Sequence, residues 1–477
     1  MNASTPLGSV RRGALRRSTP VLVCALVAAL ASLLTARAQG SAGPEVNVSS
    51  LPGAQNEPTI AVDPTNPEIL VAGSNSRGEG TMRVYGSTDG GLTWTVGTVY
   101  PKPVDRRKTC AADPGVAIDL AGRQYYSFLR LTPCGGDRPR LFVASRADPA
   151  APWSRPALVA PLGRARLDDK PAIAVDVSPT SRFANRVYVA WTRVARNGAF
   201  AIVLSHSDDA GRSWSRPVKV SGPGRLVSYA SVAVARDGTV YVAWDDMENF
   251  WVRIARSTDG GERFEPGRKA ASFSIVQIPH CGSGIVIPAQ RLTCARPNPI
   301  VSVDRSSGPY SGRVYVTYAR TEFYGNQGAY VTVFDSALSL LSASDGRYEG
   351  PPVAPPPPGQ RTDQFWPQSA VDPATGAVWV CFYDTRDDPE RKRVFYSCTV
   401  SRDGGQTWAQ ALPAASVPSD ETQPGADPRE FGDYQGLAVA GGVAHPIWTD
   451  SRNLATLAEE IYTTRLTEAD FSPPPGG

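Results

Sequence analysis

The chain has 477 residues, with 49 Lys and Arg against 45 Asp and Glu, for a formal charge of +4. Residues 1–38 hold five of the arginines and no acid, so the rest of the chain stands at about −1, which excludes nucleic-acid binding driven by bulk charge. With 44 Gly, 43 Pro and almost no helical periodicity, helical and mixed classes are excluded as well, and an all-β fold is expected.

Residues 1–38 read as an export signal. Arg11, Arg12, Arg16 and Arg17 make a basic start, Val21 to Leu34 is an apolar run too short to span a bilayer, and Ala36-Arg37-Ala38 fits a small-x-small cleavage site. Arg11-Arg12 lacks the residues that follow a twin-arginine pair, so general secretion is favoured. Cys24 lies inside the apolar run, which argues against a lipoprotein anchor. No other stretch is long and apolar enough to span a membrane. The expected location is secreted, either extracellular or periplasmic, with residues 39–477 as one domain.

That domain repeats itself. A first motif recurs as PTIAVDP (58–64), PGVAID (114–119), PAIAVD (171–176), ASVAVARDG (230–238), PIVSVD (299–304), PQSAVDP (367–373) and GLAVAGG (436–442). Each copy precedes a second apolar run such as RVYVAWTR or TVYVAWDD, then a third. Counted at the Asp or its equivalent, the copies stand at 63, 119, 176, 235, 304, 372 and 440. A second motif follows the third run: STDGGLTW (87–94), SDDAGRSW (207–214), STDGGERF (257–264) and SRDGGQTW (401–408). Ser87, Asp89, Ser207, Asp209, Ser257, Asp259, Ser401 and Asp403 can hydrogen-bond a tight turn. Gly91, Gly211, Gly261 and Gly405 can take positive φ, and Trp94, Trp214, Phe264 and Trp408 supply an apolar anchor. Degenerate turns stand at 145–153 and 342–348. Four strands at this period predict a β-propeller of seven blades, with six as the alternative.

The last unit has three strands and then ends in SPPPGG. The missing strand is found at the other end, because residues 44–63 align with 216–234, so the N-terminal segment is expected to complete the last blade and cover its edge. PPVAPPPPG (351–359) reads as a stiff surface connector. Six cysteines remain after cleavage, and neighbours pair as Cys110 with Cys134, Cys281 with Cys294, and Cys381 with Cys398. Zinc is the weaker reading, since no pair has ligand spacing and His206, His280 and His445 are scattered. No cofactor is expected. The pairs Asp245-Asp246 and Asp387-Asp388 leave calcium as an alternative, with solvated loop acids the commoner case.

The Ser-x-Asp-x-Gly-x-x-Trp turns resemble the Asp-box, or BNR, repeats of the sialidase superfamily. The resemblance spans nearly the whole of 39–477. It implies a propeller whose turns face away from the active site, so Asp89 and its counterparts are structural; such repeats also occur in non-enzymatic propellers such as sortilin-type receptors. Sialidases carry an Arg-Ile-Pro motif that supplies one of three substrate-gripping arginines. Here that region reads NEPTIAV, with Glu57 before Pro58, and the arginine is missing. Sialidases also typically have six blades.

The opposite rim should gather the ends of the second strands and the inter-blade loops. The second strands end in Arg77, Arg130, Arg193, Asp245, Arg320, Arg386 and Arg452. The loops bring Glu57, RLDDKP (166–171), RTDQFWPQ (361–368) and REFGDYQG (429–436). Tyr434, Asp433, Asp363 and Asp169 are the candidate catalytic residues. Arg386, Arg452, Arg320, Arg193, Arg130 and Trp366 are the candidate substrate contacts, because guanidinium pairs capture carboxylates bidentately. The competing structural reading has each Arg pairing with its neighbouring Asp, as YDTR and TDSR suggest, and has Trp366 and Tyr434 packing between blades. The expectation is a monomeric propeller that binds or hydrolyses an extracellular glycan, acidic sugars included, as a retaining glycoside hydrolase. A non-catalytic recognition or scaffold propeller binding a protein or a sugar is the alternative, and a lyase acting on uronate polymers is a third.

Overall fold

The computed structural model describes residues 43–472 apart from 78, 100–108, 164, 223, 225, 274–284, 322–325 and 342–351. The expected export signal, Cys281 and the degenerate turn at 342–348 lie outside the described residues. Residues from Ser41 onward form one unit, an all-β propeller of seven sheets. The inner strands are Gln55–Val62, Cys110–Ile118, Ala165–Val175, Val227–Val234, Ile300–Val303, Gln364–Val371 and Gly436–Ala440, one per blade. Each pairs antiparallel with the strand that follows it, and the order continues outward without crossover.

Each blade is sandwiched between two neighbours, so its second strand is buried on both faces and reads as a continuous apolar run. The fifth residue of that strand is Phe128, Trp191, Trp244, Tyr318 and Phe382 in blades two to six, and the sixth is Trp448 in blade seven, each 0–1% exposed. Blade one has the smaller Ser74 there, whose hydroxyl pairs with Tyr85 Oη at 2.8 Å.

The Asp turns join the third and outer strands, on the same end of the blade as the link from inner to second strand. Ser87 Oγ donates to Asp89 Oδ1 (2.8 Å) and accepts from Gly91 N–H (2.9 Å), while Asp89 also accepts the Leu92 and Thr93 N–H groups at 3.1 and 2.9 Å. Trp94 Nε1 closes the turn on Gly91 O. The same pattern holds at Asp209 and Asp403, and in part at Asp259. Glycine is demanded by conformation at all four turns and by space as well at Gly91, Gly261 and Gly405. Gly91, Gly211, Gly261 and Gly405 have φ between 80° and 88°. A Cβ on each would also meet the preceding blade: His445 at 3.3 Å, Tyr125 at 3.7 Å, Tyr188 at 3.2 Å and Tyr315 at 3.3 Å respectively. Each turn is thus a clasp onto the preceding blade.

Closure follows the sequence alignment. Val46 pairs with Thr463 and Asn47 with Tyr462, which places the N-terminal strand at the outer edge of blade seven. Blade five differs from the rest, with three strands and no fourth of its own among the described residues. Its outer edge is met by the chain around Pro352, which bridges Tyr330, and Val353 N–H bonds Ala329 O at 2.9 Å. The proline-rich segment therefore begins as edge-covering chain, with Val353 and Ala354 buried, and not as a surface connector. Cys381 and Cys398 are directly opposed in adjacent strands and bonded, with Cα atoms 4.0 Å apart; Cys110 and Cys134 are bonded at 4.9 Å. Cys294 is also disulfide-bonded.

Two outcomes test this architecture. Asp403→Ala strips four donors of their acceptor and should lower unfolding free energy by about 1–3 kcal/mol in chemical denaturation, with no change at the opposite rim. A chain starting at Leu51 loses its pairing to Glu460–Thr463 and should aggregate or melt early; a melting temperature equal to the parent's would refute closure by this strand.

Candidate functional site

At the rim opposite the Asp turns, blades one to four and six break the pairing of the inner strand at the same place. The pairing to the second strand slips between Asn56 and Thr59, Ala112 and Gly115, Asp169 and Ala172, Ser228 and Ser231, and Phe365 and Gln368. Within each slip one non-glycine residue takes a left-handed conformation: Glu57 (φ 54°), Asp113 (57°), Lys170 (49°), Tyr229 (54°) and Trp366 (49°). Asn298 (44°) stands at the same point ahead of Ile300–Val303. Such residues cost of order 1–3 kcal/mol and cluster where bulges re-aim a side chain. The following residue is Pro58, Pro114, Pro171, Ala230, Pro299 and Pro367, so in five of six blades the bulge needs no ladder N–H. In blade seven Tyr434 occupies the equivalent position.

These residues meet around the axis. Lys170 Nζ bonds Asp433 Oδ2 and lies 3.9 Å from both Glu57 Oε1 and Asp113 Oδ2. It stands 5.5 Å from the ring centre of Tyr229 and 5.7 Å from that of Tyr434. Glu57 is fixed further by Asn75 Nδ2, which donates to Oε2 at 2.6 Å, and by the Asp433 N–H, which donates to Oε1 at 3.0 Å. Tyr229 stacks against Trp366 with centroids 6.4 Å apart, and Arg296 lies over the Tyr229 ring with Cζ 5.6 Å from its centre. Above this floor opens a cavity of about 490 Å³, lined by Glu57, Asp113, Asp169, Lys170, Arg296 and Asp433 among others.

One wall is an insertion. The hairpin Ile285–Ile287 and Gln290–Ala295, between blades four and five, reaches across to blade seven. The buried Glu430 carboxylate accepts the backbone N–H groups of Arg291, Leu292 and Thr293 at 2.8–3.1 Å, and Gln290 Nε2 donates to Gly432 O at 3.2 Å.

The electrostatics separate the carboxyls. Burial pushes Glu57 up to about 7 and Asp113 up to about 6, with Lys170 opposing in both cases. Burial also raises Asp169. At Asp433 burial pushes upward too, but the ammonium and hydrogen bond of Lys170 outweigh it and hold the group below the usual carboxylate value. Burial would pull Lys170 down, yet Asp113, Asp433 and Glu57 together lift it well above an ordinary lysine, so it stays an ammonium. Burial holds the Tyr434 phenol well up, with Glu57 and Asp113 adding to it; its buried hydroxyl makes no hydrogen bond among the described residues.

Of the residues expected from sequence, Asp433, Tyr434 and Asp169 join this cluster, and Trp366 lies fully buried beneath it against Tyr229. Asp363 is placed elsewhere: it is fully buried, accepts the Gln327 N–H at 3.2 Å and pairs with Arg391 at 3.2 Å. Of the strand-end arginines, Arg77 lines the cavity and meets Asp427 at 3.4 Å, while the candidate substrate contacts face their own neighbourhoods. Arg193 grips Asp168 at 2.7 and 3.0 Å, Arg386 grips Asp384 at 2.6 Å, and Arg452 bonds Asp450 at 2.7 Å and also Glu45. Arg130 lies over Phe142 and Arg320 over Tyr330. Asp246 is taken up by Arg253 and Asn249, and Asp388 by the N–H groups of its own loop. No group of three or more His, Cys, Asp or Glu able to hold a metal occurs among the described residues. Sequence reasoning did not single out Lys170, Asp113, Tyr229 or Arg296. The signal that marks most of them is the residue just before the proline of each inner-strand motif.

No protein-family model matches the chain, and no curated protein matches it by sequence. Among solved structures it is similar to a protein of unknown function from Dyadobacter fermentans, at TM-score 0.45 and 15% identity over 73% of this chain and 95% of that one. It is also similar to a Hadza microbial sialidase, at TM-score 0.48 and 15% identity over 85% and 76% of the two chains. A third is an α-L-arabinanase of Penicillium chrysogenum complexed with arabinobiose, at TM-score 0.43 and 14% identity over 75% and 94%.

The raised carboxyls give a stability signature. Glu57 and Asp113 bind a proton more tightly folded than unfolded, so their contribution is complete below about pH 4 and is lost as pH rises through about 6 to 7. Asp433 acts in the opposite sense, favouring the fold above its unfolded value. Glu57→Gln, denatured chemically at pH 5, 6, 7 and 8, should flatten the decline that the parent shows between pH 5 and 7.

Proposed function

We propose that this is an exported propeller that binds an extracellular glycan in the axial cup and hydrolyses it there. The observation that carries this reading is the ring of left-handed bulge residues: six blades spend backbone strain on turning large polar or aromatic side chains toward one point. A purely structural axis, filled with alanine and valine, would need none of it. Glycoside hydrolysis requires two carboxyls of different proton affinity. Glu57, held up near 7, suits the proton donor, and Asp433, held ionised by Lys170, suits the partner carboxylate. Tyr434, whose hydroxyl lies free beside Glu57, is the alternative nucleophile, with Asp169 at the wall. Tyr229, backed by the buried Trp366, gives an aromatic wall, and Arg296 a cation for an acidic sugar.

One observation favours the non-catalytic alternative. Lys170 is enclosed by three carboxylates, a cage that could serve to lock blades one, two, three and seven together. The two readings part on simple variants. Against a panel of chromogenic glycosides, the catalytic reading expects turnover that falls as pH rises through about 7, where Glu57 loses its proton. Glu57→Gln should lower kcat about 100-fold or more with the fold intact, and Tyr434→Phe should do likewise only if the phenol is the nucleophile. A wild-type protein inactive on the panel but positive on a glycan array leaves the recognition propeller; blank results on both would end the glycan reading.

A further inference from the structure

The loop that leads from blade six into blade seven brings Asp433 and Tyr434 to the cup, and it is fixed at four points. Asp420 N–H donates to Ser451 Oγ at 2.8 Å, Asp427 N–H donates to the Glu459 carboxylate, Glu430 holds the hairpin of the insertion, and Asp433 N–H donates to Glu57 Oε1 at 3.0 Å. The same loop carries an acid that the cup does not use. Glu421 is buried, and no donor among the described residues reaches either of its carboxyl oxygens. Its hydrogen-bond partner is a second acid, Glu459, fully buried where blade seven resumes. Glu459 Oε2 also lacks a donor among the described residues.

Ionised carboxylates only accept, so a hydrogen bond between two carboxyl groups requires a proton on one of them. The surroundings offer no cation in its place. After Glu459, the charges that act most on Glu421 are Glu430 and Asp450, both acids. Asp450 is taken by Trp448 Nε1 and by Arg452, which also holds Glu45. Within the loop, Asp427 faces Arg77, Asp420 is held by Thr422 and Gln423, and Arg429 acts on Asp433. Glu460 is held by Asn47 and Asn453. Blade six contributes the Tyr383 phenol, which donates to Thr449 O at 2.6 Å, and brings Asp388 and Lys392 toward Asp420. Burial, then Glu459, raises Glu421 well above an ordinary carboxyl, and burial raises Glu459 as well. The stability the shared proton lends is therefore present at low pH and is lost as pH rises through the raised value.

We propose that Glu421 and Glu459 form a proton-operated latch on this loop, closed while they share a proton and released when that proton leaves to water. Released, they are two buried carboxylates in contact. Glu459 is held in place, since its carbonyl accepts the Gln55 N–H at 2.8 Å and it leads into a paired strand, so the loop is the side that gives. Asp433 and Tyr434 then leave the cup, which is complete only on the acid side. The latch concerns how the loop is held and does not depend on the glycan reading. Hydrogen–deuterium exchange tests it, corrected for the chemical exchange rate at each pH. In the wild type, residues 420–433 should exchange about tenfold faster at pH 9 than at pH 5, while Val187–Ala195 of blade three should not change. Glu421→Gln, whose amide donates without titrating, should keep the loop protected at both pH values. Glu459→Gln should do the same, and it decides the matter if the first variant does not fold. Glu57→Gln removes the other titrating group that meets this loop and should leave the difference in place. Equal protection of the wild type at both pH values, an undiminished difference in either variant of the pair, or its disappearance in Glu57→Gln would each overturn the proposal. Calcium is the ion that two free carboxylates would attract. If calcium restores protection to the wild type at pH 9, the pair is a cation site and the proton latch is refuted.

Discussion

Crowding at the axis is the constraint on which the rest of this molecule depends. Seven inner strands converge there, and their middle residues are small: Ala61, Ala117, Ala174, Ala233, Ser302, Ala370 and Ala438. At Gly115 a Cβ would meet Ser127 at 2.6 Å, and at Gly436 it would meet Ile447 at 2.5 Å. A strand so confined cannot carry a functional side chain in its regular part. The bulge at its upper end solves this by turning one residue out of the pleat just where the channel widens. The chemistry of the cup is therefore gathered from single positions in different blades, and no segment contains it.

That arrangement explains how the cup can hold groups that would repel one another in isolation. Glu57, Asp113 and Asp433 come from blades one, two and seven, and Lys170 of blade three is their common counter-charge. Each carboxyl keeps a different share of the ammonium and of backbone donors. Asp433 bonds Lys170 directly and is held ionised, whereas Glu57 and Asp113 stand farther off and are governed by burial. Geometry at the scale of one ångström thus sorts chemically identical groups into proton holders and permanent anions.

The repeat was legible in the sequence because its parts are local. Ser-x-Asp-x-Gly-x-x-Trp encodes a turn whose hydrogen bonds span four residues, and Cys381 with Cys398 lie in consecutive strands. Even the N-terminal closure was legible, through the likeness of residues 44–63 to 216–234. The cup was harder, because a left-handed Lys170 or Asp113 has no propensity signature of its own, and a proline after it is only a hint. Asp433, Tyr434 and Asp169 were found by following loops to the axis. The same reasoning grouped Asp363 and the strand-end arginines with them, since topology brings loops to a rim without saying which side chains turn inward. Arg386 and Arg452 carry the sequence warning in YDTR and TDSR, where the acid two residues earlier takes the guanidinium.

The pairing of Val46 and Asn47 with Tyr462 and Thr463 has a temporal meaning. The first strand of the propeller must wait for nearly the last before it has a partner, so blade seven is the slowest sheet to assemble on loop-closure grounds. Until then blade one lacks the neighbour against which Gly91 and Trp94 are shaped, and Glu57 lacks the Asp433 N–H that holds it. Ring completion and the finished cup are consequently one event. A chain that has made six blades holds Glu57, Asp113, Lys170 and Tyr229 but not Asp433 and Tyr434, so opening at this single seam would dismantle the cup before the remaining sheets came apart.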